Sequence, residues 1–252
     1  MAHESIAILG VRVSNVDVPE SLTIIEGLIE SDSPHQVVTV NTEFVMAAQT
    51  DAEFKAIINA TALALPDGVG ILWAARFLGH ALKKRVTGVD TVQRVAELAA
   101  RKGYRLFLLG AAEGVAGLCA QRLCNQYPNL QIVGTYSGSP AIEEEDGIVA
   151  LVKQAKPDIL FVAYGAPQQD KWIARNLARL GVPLAMGVGG SLDFIAGVAV
   201  RAPRWIQRLG LEWLHRLYRE PWRWRRMLAL PRFVGLVMRE RLGKVGSKGY
   251  RT

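Results

Sequence analysis

The sequence predicts an α/β fold, with a Rossmann-like, mostly parallel sheet, helices on both faces and a basic helical C-terminal appendage. From Ile6 to about Val200, short apolar runs rich in β-formers alternate with longer segments of helical periodicity, as in consecutive βα units. With 252 residues, 50% of them hydrophobic, the chain is long enough for one large domain plus an appendage, and too apolar for disorder. Near Arg201 the composition changes to Arg, Trp, Leu and Pro.

The elements of the sheet domain follow from these local patterns, and no repeat of fixed period interrupts them. The predicted strands are VVTV (37–40), RLFLLG (105–110), QIVGTY (131–136), DILFVAYG (158–165) and PLAMGVGG (183–190). Pro19 suits the first turn of a helix, where a proline costs no hydrogen bond. Further helices are predicted at 90–102, 113–126, 143–156 and 168–180, which have suitable length and periodicity.

The charge distribution divides the chain into a domain at 1–200 and an appendage at 201–252. The appendage contains fourteen Lys and Arg but three Glu, whereas residues 1–200 contain sixteen basic and twenty acidic residues. A single amphipathic helix is predicted at 204–219, because apolar residues recur there at every fourth position beside a row of arginines. Pro221 and Pro231 are expected to break the following segment into short pieces up to about Arg241, and 243–252 to be frayed.

The sequence also predicts a cytoplasmic protein at the inner face of the plasma membrane. Cys119 and Cys124 are predicted to be reduced core thiols, since no disulfide framework and no cleavable leader is recognisable. No stretch reaches the roughly 18 uncharged apolar residues of a spanning helix, so membrane contact is expected to be peripheral. Arginines and tryptophans in the appendage would bind an anionic membrane surface.

In open α/β sheets the ligand site forms beyond the carboxyl ends of the strands, which makes polar residues after apolar runs the first candidates. Thr39 and Asn41 end one such strand, and alternation puts them on the same side. Helix capping is an equal alternative for Asn41. Asp67 follows the apolar run LALP and is either a turn residue or a general base that takes the proton of an attacking hydroxyl.

Two glycine turns are candidates for binding a nucleotide donor. The segment from Gly110 to Gly117, with Gly114 inside it, joins a strand to a helix, where backbone N–H groups could approach a phosphate; a plain tight turn is the alternative. The second turn contains Gly165, followed by Gln168 and Gln169. The two amides either cap the next helix or bind sugar hydroxyls.

The sequence shows no group of residues with the usual spacing of metal ligands, so no metal and no cofactor is expected. The sequence has no D-x-D triplet, and its four histidines are scattered singly. The charge of a departing diphosphate would then be neutralised by arginines or helix N-termini. Arg85 in the KKRVTG turn is one candidate, with a solvated basic loop as the alternative.

Taken together, seven segments resemble the bacterial WecG/TagA/CpsF glycosyltransferases. They are TVNTEFV, LPDGVGILWAARFLG, KKRVTGVD, LFLLGA, GAPQQDKW, GVGGSLDFIAG and RAPRWIQRLGLEWLHRLYREPWRWRR, and they extend from about Ile6 to Arg241. The resemblance implies an inverting, metal-independent hexosyltransferase of cell-surface polysaccharide or teichoic acid synthesis. It would move an N-acetylmannosamine-type sugar from a UDP-sugar to N-acetylglucosamine on a polyprenyl diphosphate.

The resemblance also implies roles for individual residues. Thr39 and Asn41 match the pocket-forming Thr-x-Asn of the family, Asp67 its proposed base, Arg85 its active-site arginine and Gln169 its P-x-Q glutamine.

Three arginines of the appendage, Arg216, Arg223 and Arg226, match residues thought to bind the lipid diphosphate. The family often has Lys-Gln-Glu where this chain has Gln168-Gln169-Asp170, which leaves the role of position 168 open.

Two other functions are alternatives. A nucleic-acid-binding protein would also use interleaved Arg and Trp, but the charge is confined to about fifty residues, so no nucleic acid partner is expected. A nucleotide-dependent oxidoreductase would need an acidic residue on the strand QIVGTY, which has none. The oligomeric state, including a homo-oligomer, is left open.

Overall fold

The computed structural model describes residues 3–31, 33–221 and 224–248, without the side chains at 204, 208, 225, 226 and 244–248. Its strands are β1 (Ser5–Ile8), β2 (Val11–Ser14), β3 (His35–Val40), β4 (Leu63–Pro66), β5 (Arg105–Gly110), β6 (Gln131–Tyr136), β7 (Ile159–Ala163) and β8 (Leu184–Gly187). The five strands predicted from sequence correspond to β3 and β5–β8, so these predictions are confirmed; β7 and β8 are shorter than predicted.

The helices lie between and after these strands. They are α1 (Val18–Ile29), α2 (Thr42–Ala47), α3 (Ala52–Ala60), α4 (Val69–Phe77), α5 (Gly88–Lys102), α6 (Val115–Gln126), α7 (Ile142–Ala155), α8 (Gln168–Leu180), α9 (Ser191–Ala196), α10 (Arg204–Arg208), α11 (Glu212–Arg219), α12 (Trp224–Met227) and α13 (Ala229–Lys248). Local sequence explains many of their starts. Asp17 and Glu20 form a capping box on α1 beside Pro19, and Thr87 caps α5.

Six strands form one parallel sheet in the order β4-β3-β8-β7-β5-β6, which confirms the predicted fold class. Because every strand runs in the same direction, all six carboxyl ends meet at one edge of the sheet. The first two strands form a separate antiparallel hairpin, β1–β2, which turns at Leu9 and Gly10 with positive φ at both residues.

Side-chain alternation along the strands creates an apolar layer on each face of the sheet. Val37 and Leu108 pack on one face with helices α1, α5, α6 and α9. Their neighbours Val38 and Leu109 pack on the other face, the first with α2, α3, α4, α13 and the hairpin, the second with α7 and α8. Both faces of the sheet are therefore covered, as expected for parallel strands. Cys119 is a buried free thiol in the first layer, as predicted, whereas Cys124 is a free thiol that is only partly buried, so its prediction as a core residue is wrong.

The appendage differs from its prediction at two points. The single helix expected at 204–219 is divided into α10 and α11, because Gly210 has φ +72 and packs so close to Val69 that a Cβ would lie 2.8 Å from that side chain. The break expected at Pro231 is absent, and the backbone of 243–248, predicted to be frayed, is helical. Pro231 lies in the first turn of α13, where no helical hydrogen bond is lost.

Helix α13 is part of the core, although it lies far from the sheet in sequence. Phe233 and Val237 are 1% and 0% exposed, and both belong to the apolar layer that contains α2 and α4. The expected boundary at 200/201 stays a prediction. No helix among the described residues is long and apolar enough to cross a membrane.

Candidate active site

A cavity of about 1020 Å³ opens at the edge where the strand carboxyl ends meet. Its floor comes from the turns after β3, β4, β7 and β8, and its roof from the segment that contains α11. The predicted site residues that line it are Thr39, Asn41, Asp67, Arg85, Gly165, Gln169 and Arg216. Ligand pockets measure roughly 300–1,000 Å³, so this cavity lies at the upper end of that range.

Asp67 lies at the end of β4 with its carboxylate toward the cavity. Its backbone N–H donates to the carbonyl oxygen of Val40 at 2.8 Å, which ties the residue to the neighbouring strand. Its carboxylate oxygen Oδ2 accepts a hydrogen bond from the N–H of Gly88 at 3.3 Å. Burial raises the pKa of Asp67 to about 6, and this effect exceeds the opposing effects of the Gly88 hydrogen bond and the charge of Arg85. A carboxylate with this pKa is a suitable proton acceptor near pH 7.

The two predicted polar residues at the end of β3, Thr39 and Asn41, both line the cavity, but Asn41 also has a structural role. Its side-chain oxygen accepts from the N–H of Phe44 at 3.0 Å and caps α2, so the capping interpretation of Asn41 is correct. The same residue lines the cavity, and its amide nitrogen is the group that could donate to a ligand. Thr39 is 7% exposed and packs close to Gly88.

Arg85 belongs to an ion-pair network that connects the sheet domain to the appendage. Its guanidinium pairs with the carboxylate of Glu212 at the start of α11. Glu212 also lies 3.7 Å from Nε of Arg201, and Arg201 binds Asp90 through two nitrogens at 2.6 and 3.1 Å. These pairs are partly buried, so they are screened less than surface pairs. The solvated-loop interpretation of Arg85 is therefore wrong.

Gln169 is held in one orientation at the opposite wall. Its side-chain oxygen accepts from the N–H of Gly189 at 2.9 Å, and the residue is 2% exposed. A Cβ at Gly187 would lie 2.5 Å from Oδ1 of Asp170 and 2.7 Å from Nε2 of Gln169, so only glycine fits beneath these side chains. Burial raises the pKa of Asp170 to about 7. The neighbouring Gln168 is exposed and does not line the cavity.

The first predicted glycine turn, at 110–117, borders the cavity through residues other than the two glycines that were predicted to bind the donor. Gly110 and Gly114 are not among the lining residues, whereas Ala111 and Ala112 are. Gly110 has φ +93, and a Cβ there would lie 2.8 Å from the carbonyl carbon of Ala163, which supports the tight-turn interpretation. Gly114 is exposed at the start of α6.

Of the three predicted appendage arginines, Arg216 is the one whose side chain the structure describes. It lines the cavity from α11, lies 5.1 Å from the ring centre of Phe194 and is 3.7 Å from the carboxylate of Glu220. Arg223 and the side chain of Arg226 lie outside the described residues. The structure thus brings one of these arginines to the cavity.

Sequence reasoning missed two charged members of the site, Arg201 and Glu212. Arg201 lies in the RAP motif and Glu212 in the GLEW motif. Both motifs support the family resemblance, so the two residues could have been selected from the sequence on that ground. It also missed the lining residues Trp73 and Asp193. Among the residues that the structure describes, no three His, Cys, Asp or Glu side chains are grouped so that they could hold a metal ion.

Comparisons with known proteins show the family to which the chain belongs. The model of the family described as "Glycosyl transferase WecG/TagA/CpsF family" matches residues 6–246. A protein of Bacillus subtilis (strain 168) named N-acetylglucosaminyldiphosphoundecaprenol N-acetyl-beta-D-mannosaminyltransferase is 34% identical over 206 residues, which cover 82% of this chain and 80% of the relative. A protein of the same name from Staphylococcus aureus (strain MW2) is 31% identical over 229 residues, covering 90% and 89%.

Proposed function

The chain belongs to the WecG/TagA/CpsF glycosyltransferase family, and from this premise we propose that it transfers an N-acetylmannosamine-type sugar from UDP to N-acetylglucosamine on a polyprenyl diphosphate. The acceptor and the sugar come from the names of relatives that are 31% and 34% identical. The observation that carries the proposal is that Thr39, Asn41, Asp67, Arg85 and Gln169 line one cavity. Nucleic-acid binding and an oxidoreductase activity are not favoured by these comparisons.

Asp67 is the proposed general base of a single displacement. The acceptor hydroxyl oxygen attacks the anomeric carbon, its proton passes to the Asp67 carboxylate, and the bond from that carbon to the UDP oxygen breaks. Attack from the side opposite the leaving group inverts the anomeric configuration. The raised pKa of Asp67 supports this role, because a carboxylate with a pKa of about 6 is a stronger base than an ordinary one and is still mostly ionised at pH 7.

The departing UDP requires positive charge, and the cavity contains arginines on two walls. Arg85 lines it from the segment before α5 and would stabilise the leaving diphosphate, whereas Arg216 lines it from α11 and would bind the diphosphate of the acceptor. The backbone at Ala111 and Ala112, in the turn after β5, adds a place where N–H groups can approach a phosphate. Catalysis without a metal ion is part of the proposal, in which Arg85 and backbone N–H groups stabilise the leaving diphosphate.

Amide groups at the remaining walls would orient the sugars. Gln169 has its oxygen engaged by the N–H of Gly189 and its side chain hydrogen-bonds the Asp170 carboxylate, so the second N–H of its amide nitrogen is the donor that could bind a hydroxyl. Asn41 is in the same situation, because its oxygen caps α2. Side chains held in one orientation by such second contacts position a substrate with little loss of entropy.

In this proposal, the protein acts at the inner face of the plasma membrane, where its acceptor would lie. The appendage contributes fourteen basic residues, and each basic residue near an anionic leaflet adds about 1 kcal/mol of attraction. Peripheral binding of this kind would bring the cavity to a lipid-linked acceptor.

The decisive experiment is a transfer assay with defined substrates. The protein is incubated with N-acetylglucosamine linked to a short-chain prenyl diphosphate and, separately, with each of several UDP-sugars. We expect a mass gain of one N-acetylhexosamine with UDP-N-acetylmannosamine, and a product of inverted anomeric configuration by NMR. Transfer from a different UDP-sugar would correct the donor. No transfer from any of them would refute the proposal.

A further inference from the structure

The part of the cavity between α4 and α12–α13 is lined by apolar side chains, which the chemistry of the reacting groups does not require. Its walls are the N-terminal half of α4 and the segment from α12 into α13. The described lining residues of these helices are Val69, Gly70, Trp73, Met227, Ala229, Leu230, Phe233 and Val234. None of them carries a charge, although Thr42 and Glu43 of α2 line the cavity beside them, where α2 contacts α13 and Gly70. We call this region the apolar end of the cavity.

The apolar end is a preformed surface. The ring of Trp73 stacks on Phe77 with centroids 5.3 Å apart and an interplanar angle of 16°, so the two rings form one flat apolar wall. Opposite it, Phe233 is anchored in the core and 1% exposed. Trp73 is nevertheless 37% exposed and Val69 43% exposed, which leaves apolar surface open to a ligand. Exposed apolar surface that lines a cavity is typical of a ligand-binding groove.

The position of the apolar end relates it to the acceptor and not to the nucleotide. Helix α4 begins two residues after Asp67, the proposed base, so the apolar end adjoins the group that would receive the acceptor's proton. From the anomeric carbon beside Asp67, the donor can extend along the strand ends towards the turn after β5, which is four strand positions away in the sheet order.

The roof of the cavity adds charge beside this apolar surface. Gly210 packs against Val69 at the start of α4, and the same segment then forms α11 with Arg216, which lines the cavity. A molecule with a diphosphate next to a hydrocarbon chain would match a cationic side chain followed by apolar walls. A free nucleotide has no hydrocarbon portion to place there.

We propose that the apolar end binds the isoprene units nearest the diphosphate of the acceptor. This inference rests on the proposed function, since it specifies where the lipid part of that acceptor lies. The enzyme would then select its acceptor partly by the hydrocarbon chain and not through the sugar and diphosphate alone. Membrane attraction of the appendage is a separate contribution, because an assay with soluble short-chain acceptors contains no membrane.

The test compares two acceptors in solution, N-acetylglucosamine diphosphate esterified with a methyl group or with a farnesyl group. Trp73→Ala and Leu230→Ala each remove one wall of the apolar end. Leu242→Ala makes the same change on α13 at a side chain that is 71% exposed and does not line the cavity. UDP affinity is measured for every variant, which reports folding and the donor site independently of the acceptor.

We expect both wall variants to raise KM for the farnesyl acceptor about tenfold, the effect of about two buried CH₂ groups. KM for the methyl acceptor and Kd for UDP should be unchanged, and Leu242→Ala should change none of them. An equal change for both acceptors, or no change for either, would overturn the inference. So would a loss of UDP affinity in Trp73→Ala, which would place the uracil ring there. Failure of the unaltered enzyme with both acceptors would refute the proposed function itself.

Discussion

Replacing Asp67 by asparagine should make the protein slower and, at neutral pH, more stable. The two effects have one physical cause, since the carboxylate that would accept the proton is kept ionised in a partly desolvated position. Burial raises its pKa to about 6 from an ordinary value of 3.8. Asparagine has almost the same shape and keeps an oxygen that can accept the hydrogen bond from Gly88, but it carries no charge to desolvate.

The size of the gain in stability follows from the two pKa values. They differ by about two pH units, and each unit corresponds to 1.36 kcal/mol, so full burial would give about 3 kcal/mol. Asp67 is partly open to the cavity, and solvent screening reduces the expected gain to about 1–2 kcal/mol. For a chain of this length that corresponds to a rise in Tm of roughly 2–8 °C.

The gain should depend on pH in a definite direction. Because the folded-state pKa of Asp67 lies above the unfolded value, the folded protein binds more protons between about pH 4 and pH 6. The stability of the unaltered protein therefore falls as pH rises through this window, and the variant lacks that loss. The difference in Tm between the two proteins should be near zero at about pH 4 and reach its full value above about pH 7.

The assays are turnover and thermal unfolding of both proteins across this pH range. We expect kcat to fall by roughly two to four orders of magnitude in Asp67→Asn while UDP still binds, as for a lost general base. Asp146→Asn is the control, because that side chain is 89% exposed and its loss should change neither property. Unchanged kcat would remove Asp67 from the reaction. A lower Tm at pH 7 would refute the view that its carboxylate is desolvated.

Three further predictions concern the appendage. Glu212→Gln removes a negative charge that raises the pKa of Asp67, so the midpoint of kcat/KM against pH should move below about 6, and a midpoint that stays or rises would contradict this. Phe233→Ala should lower the free energy of unfolding by about 3–5 kcal/mol in urea titrations, as for a fully buried aromatic side chain; a loss under 1 kcal/mol would show that α13 is not part of the core. Arg204→Gln combined with Arg208→Gln should weaken sedimentation with anionic vesicles about 30-fold, from about 1 kcal/mol per arginine, whereas neutral vesicles serve as the control and unchanged sedimentation would argue against electrostatic docking.

Much of the fold could be predicted because its signals are local. The apolar run at 105–110 is a strand over the same residues in the structure, since a buried parallel strand needs a continuous apolar run, and the run at 131–136 is the partly exposed edge strand β6. The candidate site was accessible for a related reason. Once the strands are parallel, residues after different strands must meet at one edge, which brings Asn41 and Asp67 to the same cavity.

Other features could not be found in this way, because they depend on partners far away in the sequence. Arg85 and Glu212 are 127 positions apart, and no pattern around either residue indicates the ion pair. The amphipathic period across 204–219 predicted one helix, but packing of Gly210 against Val69 turns the chain between two. The local sequence pattern gives no information about such a long-range contact.

The sequence by itself determined the parallel α/β architecture, the positions of strands β3 and β5–β8 and the polar residues at strand ends, because each depends on a few neighbouring residues. Only the tertiary structure decided that Gln169 lines the cavity while Gln168 is exposed, and that Phe233 joins the core from the far end of the chain. Burial and ion pairing depend on which surfaces meet. That is a property of the whole packed molecule, which no short segment carries.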